Sequence, residues 1–114
     1  MMMKLNGASG VSMQNVIVAD GFWTRFLGLM GRKNMPKDSG LILMNCSSIH
    51  TFFMRFDINV VYLSKDFKVL GVQTIKPWRF GKFIRGVNHV LEVSSGSNVF
   101  ENGDIISMEE MGQE

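Results

Sequence analysis

Residues 46–57 read Cys-Ser-Ser-Ile-His-Thr-Phe-Phe-Met-Arg-Phe-Asp. They bring a thiol, an imidazole, three hydroxyls, a guanidinium and a carboxylate into twelve positions. A catalytic thiol needs a depressed pKa and an imidazole within reach, so Cys46 and His50 are the candidate nucleophile and base. Four residues apart, they share a face only in a helix. Phe52-Phe53 and the apolar runs on either side argue for extended chain instead, which makes the pair a minor candidate. A lone cysteine is more often a small buried hydrophobe. The bland alternative for the rest is that His50 and Thr51 bond backbone at a sheet corner while Arg55 pairs with Asp57.

A second segment alternates cations with rings: Lys76-Pro77-Trp78-Arg79-Phe80-Gly81-Lys82-Phe83-Ile84-Arg85. Stacking rings and phosphate-neutralising cations can hold single-stranded nucleic acid. The planar fork of arginine can equally hold a carboxylate or another anion. Against both stands a loop whose rings pack down while its charges are solvated. The metal signal is weak. Zinc wants four tetrahedral ligands, and Cys46, His50 and His89 show no paired-ligand spacing. The ten methionines suit copper in principle, but Met30, Met44 and Met54 sit in apolar runs and read as core filling. No metal and no cofactor is expected.

The two segments flank a pair of strands. Ile58 to Leu63 is apolar throughout and predicts a strand buried on both faces. Ser64-Lys65-Asp66 is a turn, and Val69 to Ile75 is the returning strand of a hairpin. In an antiparallel hairpin the start of one strand lies beside the end of the other. Residues 51–57 and 76–80 should therefore meet at one end of the sheet. The expected ligand-binding site is His50, Thr51, Met54 and Arg55 with Trp78 and Arg79, and Arg55 and Arg79 should share one pocket. Two guanidiniums repel unless an anion lies between them. That anion is either a ligand or an internal acid such as Asp57 or Glu92.

The remaining elements follow from pattern. Residues 1–14 are polar and glycine-bearing and read as a flexible start. Residues 16–19 form a first short strand, broken by Asp20-Gly21. Phe22, Phe26 and Met30, with Trp23 and Leu27, make an apolar stripe at helical spacing, capped by Asp20 and ended at Gly31. Residues 40–44, 58–63, 69–75, 90–93 and 105–108 complete six strands. The predicted fold is α+β and β-rich: about six strands in a small curled sheet or barrel, with one short amphipathic helix. The domain proper runs over 15–110.

At 114 residues, 46% hydrophobic and 19% charged, the composition is that of one globular domain. A net charge of +2 gives no strong nucleic-acid signal. Its distribution is uneven, since residues 76–85 hold four cations and no acid while residues 101–114 hold five acids and no base. One cysteine excludes an internal disulfide and fits a reducing compartment. No stretch has the apolar length of a signal peptide or a membrane span, so cytoplasmic residence is the expectation.

Gly28-Leu29-Met30-Gly31-Arg32, Ile49-His50-Thr51-Phe52-Phe53-Met54-Arg55, Ile58-Asn59-Val60-Val61-Tyr62-Leu63, Pro77-Trp78-Arg79, Leu91-Glu92-Val93 and Gly103-Asp104 occur in this order. Together with Arg25, Gly40 and Gly96, they resemble the domain of unknown function 192 over residues 15–108. The resemblance implies a compact, β-rich prokaryotic domain without an assigned reaction. Many members carry a signal peptide. The family usually shows proline and then aspartate where this chain has Asp57 and Asn59. Any role of that acid is therefore in doubt here, unless Asp57 takes it over from the same strand face.

Three functions follow as expectations. The first is a non-enzymatic binding or accessory domain for an anionic or carboxylate-bearing small molecule or peptide. The others are an enzyme using Cys46 or His50, and a nucleic-acid binder using residues 76–85.

Overall fold

The computed structural model describes residues 2–19, 39–96 and 100–110. They form seven strands: β1 Met2–Gly7, β2 Ser12–Ala19, β3 Gly40–Leu43, β4 Ile58–Leu63, β5 Val69–Ile75, β6 His89–Ser94 and β7 Ile106–Glu110. All belong to one sheet in the order β5-β4-β6-β3-β2-β1-β7. Five of its pairings are antiparallel, while β2 and β3 run parallel.

The sheet curls until its two edge strands touch at one corner. Lys68 bridges Ile105, Val69 N–H donates to Asp104 O at 2.8 Å, and Ile106 N–H donates to Phe67 O at 3.0 Å. The result is a half-barrel with a core on each face of the sheet. Residues directly opposite on paired strands point the same way, and successive residues alternate. One core therefore takes Val61, Leu63, Leu91 and Val93 with Leu5, Val16, Ile42 and Phe100. The other takes Ile58, Val60, Tyr62 and Val90 with Leu43, and is covered by Ile49, Met54 and Val87 from the long loops. Such two-sided burial is why β4 has no polar face: all six of its residues are buried.

The β4–β5 hairpin forms as the sequence predicts, with Phe67 in a left-handed turn and Ser64 N–H donating to Lys68 O. The strand count does not hold. Residues 1–14, expected to be flexible, supply β1 and the first part of β2. Alternate burial of Met3 and Leu5 and pairing to both β2 and β7 fix β1 in place. Among the described residues there is no helix; the one expected over 22–30 lies outside them. Asp104 latches the turn before β7 to the β1–β2 turn. It accepts from Ser9 Oγ at 2.7 Å and Ser9 N–H at 2.9 Å, and these bonds hold its carboxyl below the usual range.

Candidate binding site

Thr51 is fully buried where the two segments meet, and its backbone and hydroxyl join them. Thr51 N–H donates to Arg79 O at 2.8 Å, Trp78 N–H donates to Thr51 O at 2.9 Å, and Gly81 N–H donates to Ile49 O at 2.8 Å. His50 and Phe80 form an isolated bridge between them. Of the expected meeting of residues 51–57 with 76–80, the part made by Thr51, Phe52 and Phe53 is present, while Met54 turns into the core.

The hydroxyl of Thr51 has a more specific task. A tight turn over Lys76-Pro77-Trp78-Arg79 would ordinarily bond the first carbonyl to the fourth N–H. Here Thr51 Oγ1 sits between them, donating to Lys76 O at 2.6 Å and accepting from Arg79 N–H at 2.9 Å. The turn is held open and bolted to the neighbouring segment.

Both turns at this junction place an aromatic residue in left-handed backbone. Trp78 has φ 63°, at a position after proline where glycine is the usual choice. Phe53 has φ 67°, in the turn closed by Met54 N–H donating to Thr51 O. For a bulky residue this conformation costs on the order of 1–2 kcal/mol. The two rings touch, with centroids 4.7 Å apart, yet they stay 57% and 55% exposed. Phe52 stacks on Trp78 at 6.0 Å, meets Phe80 edge-on at 4.8 Å and lies 4.8 Å from the His50 ring. The outcome is an aromatic platform on the protein surface.

Arg79, in the turn held by Thr51, and Arg55, which follows the buried Met54, are both exposed. Arg79 Nη1 donates to Trp78 O at 3.3 Å, and among the described residues neither guanidinium pairs with a carboxylate. Neither Asp57 nor Glu92 forms an ion pair with them. Asp57 is exposed just before β4, and Glu92 is buried within β6 with Leu41 and Val60 across from it. Burial pushes the Glu92 carboxyl up to about 8. Met54, expected among the ligand contacts, is instead buried in the core.

Cys46 and His50 are each engaged locally. The thiol donates to Ser48 O at 3.0 Å, and His50 Nδ1 accepts from Phe52 N–H at 3.2 Å. His89, weighed as a metal ligand, is buried against Phe67, with ring centroids 4.6 Å apart. Its Nδ1 accepts from Asn45 N–H at 3.0 Å, and burial lowers its pKa. Among the described residues no group of three or more His, Cys, Asp or Glu is placed to hold a metal. Asn59 is buried, accepts from Thr74 Oγ1 at 2.6 Å and donates to Ser95 O. Its amide is thus a structural link, whereas Asp57 is exposed and lies just before β4.

The family model described as uncharacterized ACR, the domain of unknown function 192, matches residues 3–108. The chain belongs to this family. A UPF0127 protein of Pyrococcus horikoshii is 36% identical over 83 residues, covering 68% of this chain and 70% of that protein. One from Thermococcus sibiricus is 33% identical over 94 residues, covering 79% and 61% respectively. Two solved structures share the fold, each aligning with 94% of this chain. A protein of unknown function from Novosphingobium aromaticivorans has a TM-score of 0.77 at 16% identity, with 84% of it covered. A putative transcription regulator from Sinorhizobium meliloti has a TM-score of 0.73 at 20% identity, with 92% covered. Among the described residues no helix is long and apolar enough to cross a membrane.

Proposed function

We propose that this domain is a non-enzymatic binding module, and that the platform of Phe52, Phe53 and Trp78 with Arg55, Arg79 and His50 is its ligand site. The ligand is an anionic or carboxylate-bearing small molecule or peptide. One observation carries the reading. Two touching aromatic residues are held exposed in backbone conformations that cost free energy, over a hydroxyl that bolts the two segments together. Strained backbone of this kind is found where a surface is held ready for recognition. The arginines supply the fork for a carboxylate, and the rings supply the apolar contact beside it. Cytoplasmic residence is part of the proposal and rests on the single cysteine.

The enzyme reading is weaker, because the Cys46 thiol and the His50 ring each have a backbone partner of their own. Nucleic-acid binding is weaker because the whole chain carries a net charge of only +2. Titration of ¹⁵N-labelled protein with succinate and with an acidic, aromatic-bearing pentapeptide tests the site. Shifts of the amides of residues 50–55 and 77–80 are expected, and they should be lost in Arg55→Ala and Arg79→Ala with folding intact. Shifts that localise elsewhere, or survive both substitutions, refute it.

A further inference from the structure

Beyond the platform, residues 80–85 form a tip with an inward and an outward side. The inward side is fixed. A Cβ on Gly81 would lie 2.6 Å from both Ile49 Cγ2 and Tyr62 Oη, so the backbone there rests directly on the core. Ile84 packs into the space left by Gly71, and Val87 is buried behind it. Gln73 Oε1 accepts from Lys82 N–H at 3.0 Å and from Tyr62 Oη at 2.8 Å, which ties the loop to β5 and β4. The outward side is what remains: Phe80 at 73% exposed, Lys82, Phe83 at 82% exposed, and Arg85. These rings stand in water because their loop is anchored with them facing out.

Charge is arranged to match. Residues 76–85 carry Lys76, Arg79, Lys82 and Arg85 and no acid. After β5 the chain turns back along it, with Lys82 N–H on Gln73 and Ile84 against Gly71, and its outward face offers cations without acids to a negative surface.

We infer that this tip docks on the surface of a bilayer containing anionic phospholipid. Phe80 and Phe83 enter the interfacial layer, while Lys76, Lys82 and Arg85 face the phosphates. Interfacial insertion buries a ring whatever its orientation, and adjacent cations each add attraction to an anionic leaflet. This inference does not depend on the ligand proposed for the platform.

Flotation of the whole protein with phosphatidylcholine vesicles, with and without about a third phosphatidylglycerol, tests it; each cation is worth roughly fivefold in partitioning. The protein should float with the anionic vesicles at low salt and stay behind with the neutral ones. Lys82→Ala with Arg85→Ala should weaken binding about 25-fold. Phe80→Ala with Phe83→Ala should weaken it at least about tenfold at unchanged circular dichroism. Failure to float with anionic vesicles, or flotation indifferent to both double substitutions, overturns the inference. So does micromolar binding to a single-stranded oligonucleotide that displaces the protein from vesicles without loss in the phenylalanine variant.

Discussion

Glu92→Gln should make the protein more stable at neutral pH and leave its stability near pH 4.5 almost unchanged. The side chain is 3% exposed, and its neighbours on the adjacent strands are Leu41 and Val60. Burial raises the carboxyl from an ordinary 4.5 to about 8. In the unfolded chain the group ionises near 4.5, whereas in the folded protein it keeps its proton until about 8. Folding must therefore take up a proton at every pH between, and stability falls as pH rises through this window. Each unit costs about 1.4 kcal/mol, so the penalty is roughly 3 kcal/mol at pH 7 and approaches about 5 kcal/mol above pH 8. Glutamine keeps the shape and cannot ionise. For a chain of this size, 3 kcal/mol corresponds to roughly 10 °C in Tm. Urea denaturation of both proteins at pH 5, 6, 7 and 8 provides the assay. Subtracting the two curves cancels the contributions of His89 and Asp104, whose depressed pKa values act on stability at lower pH. A difference that does not grow from pH 5 to pH 8 would show that Glu92 is not held neutral in the fold.

Three other outcomes follow from the site and its supports. Thr51→Val should destabilise the protein by about 1–3 kcal/mol in denaturant, because Lys76 O and Arg79 N–H lose the hydroxyl that bridges them. It should also broaden the amide resonances of residues 76–81. Gly81→Ala should cost roughly 1–3 kcal/mol, since the new methyl overlaps Tyr62 Oη and Ile49, and its melting temperature will report this. Cys46, half-buried with its thiol on Ser48 O, should react with iodoacetamide near pH 6.5 no faster than a free thiol in a model peptide. Faster alkylation would put the enzyme reading first.

The strands that can be read from the sequence are those whose burial leaves a continuous apolar run. β4 is the clearest case, and Ser64-Lys65-Asp66 fixes its hairpin. β1 is harder because only Met3 and Leu5 mark its inner face, among residues that also suit a loose terminus. β2 begins earlier than its β-branched run, and the exposed Ser12 and Gln14 with left-handed Asn15 hide that start from an apolar pattern. That the chain before β4 meets the chain after β5 follows from antiparallel geometry, but that Thr51 and its neighbours make the contact depends on the Thr51 hydroxyl. Which rings face out does not follow from that geometry either. It is decided by Gly81, Ile84 and Val87 claiming the inward positions, a competition between neighbours far apart in the chain. Sequence position puts Met54 beside the site, but hydrophobic burial takes it into the core. Glu92 lies inside the run Val90-Leu91-Glu92-Val93, and that single acid between apolar residues is the signal of a buried carboxyl.

Native mass spectrometry of the protein purified from its own cells tests the binding reading most directly. A stoichiometric adduct of small-molecule or peptide mass is predicted for the wild type, and it should be absent when Arg55→Ala and Arg79→Ala are combined in a variant of unchanged melting temperature. Wild-type protein with no adduct, or an adduct retained in full by the double variant, would contradict it.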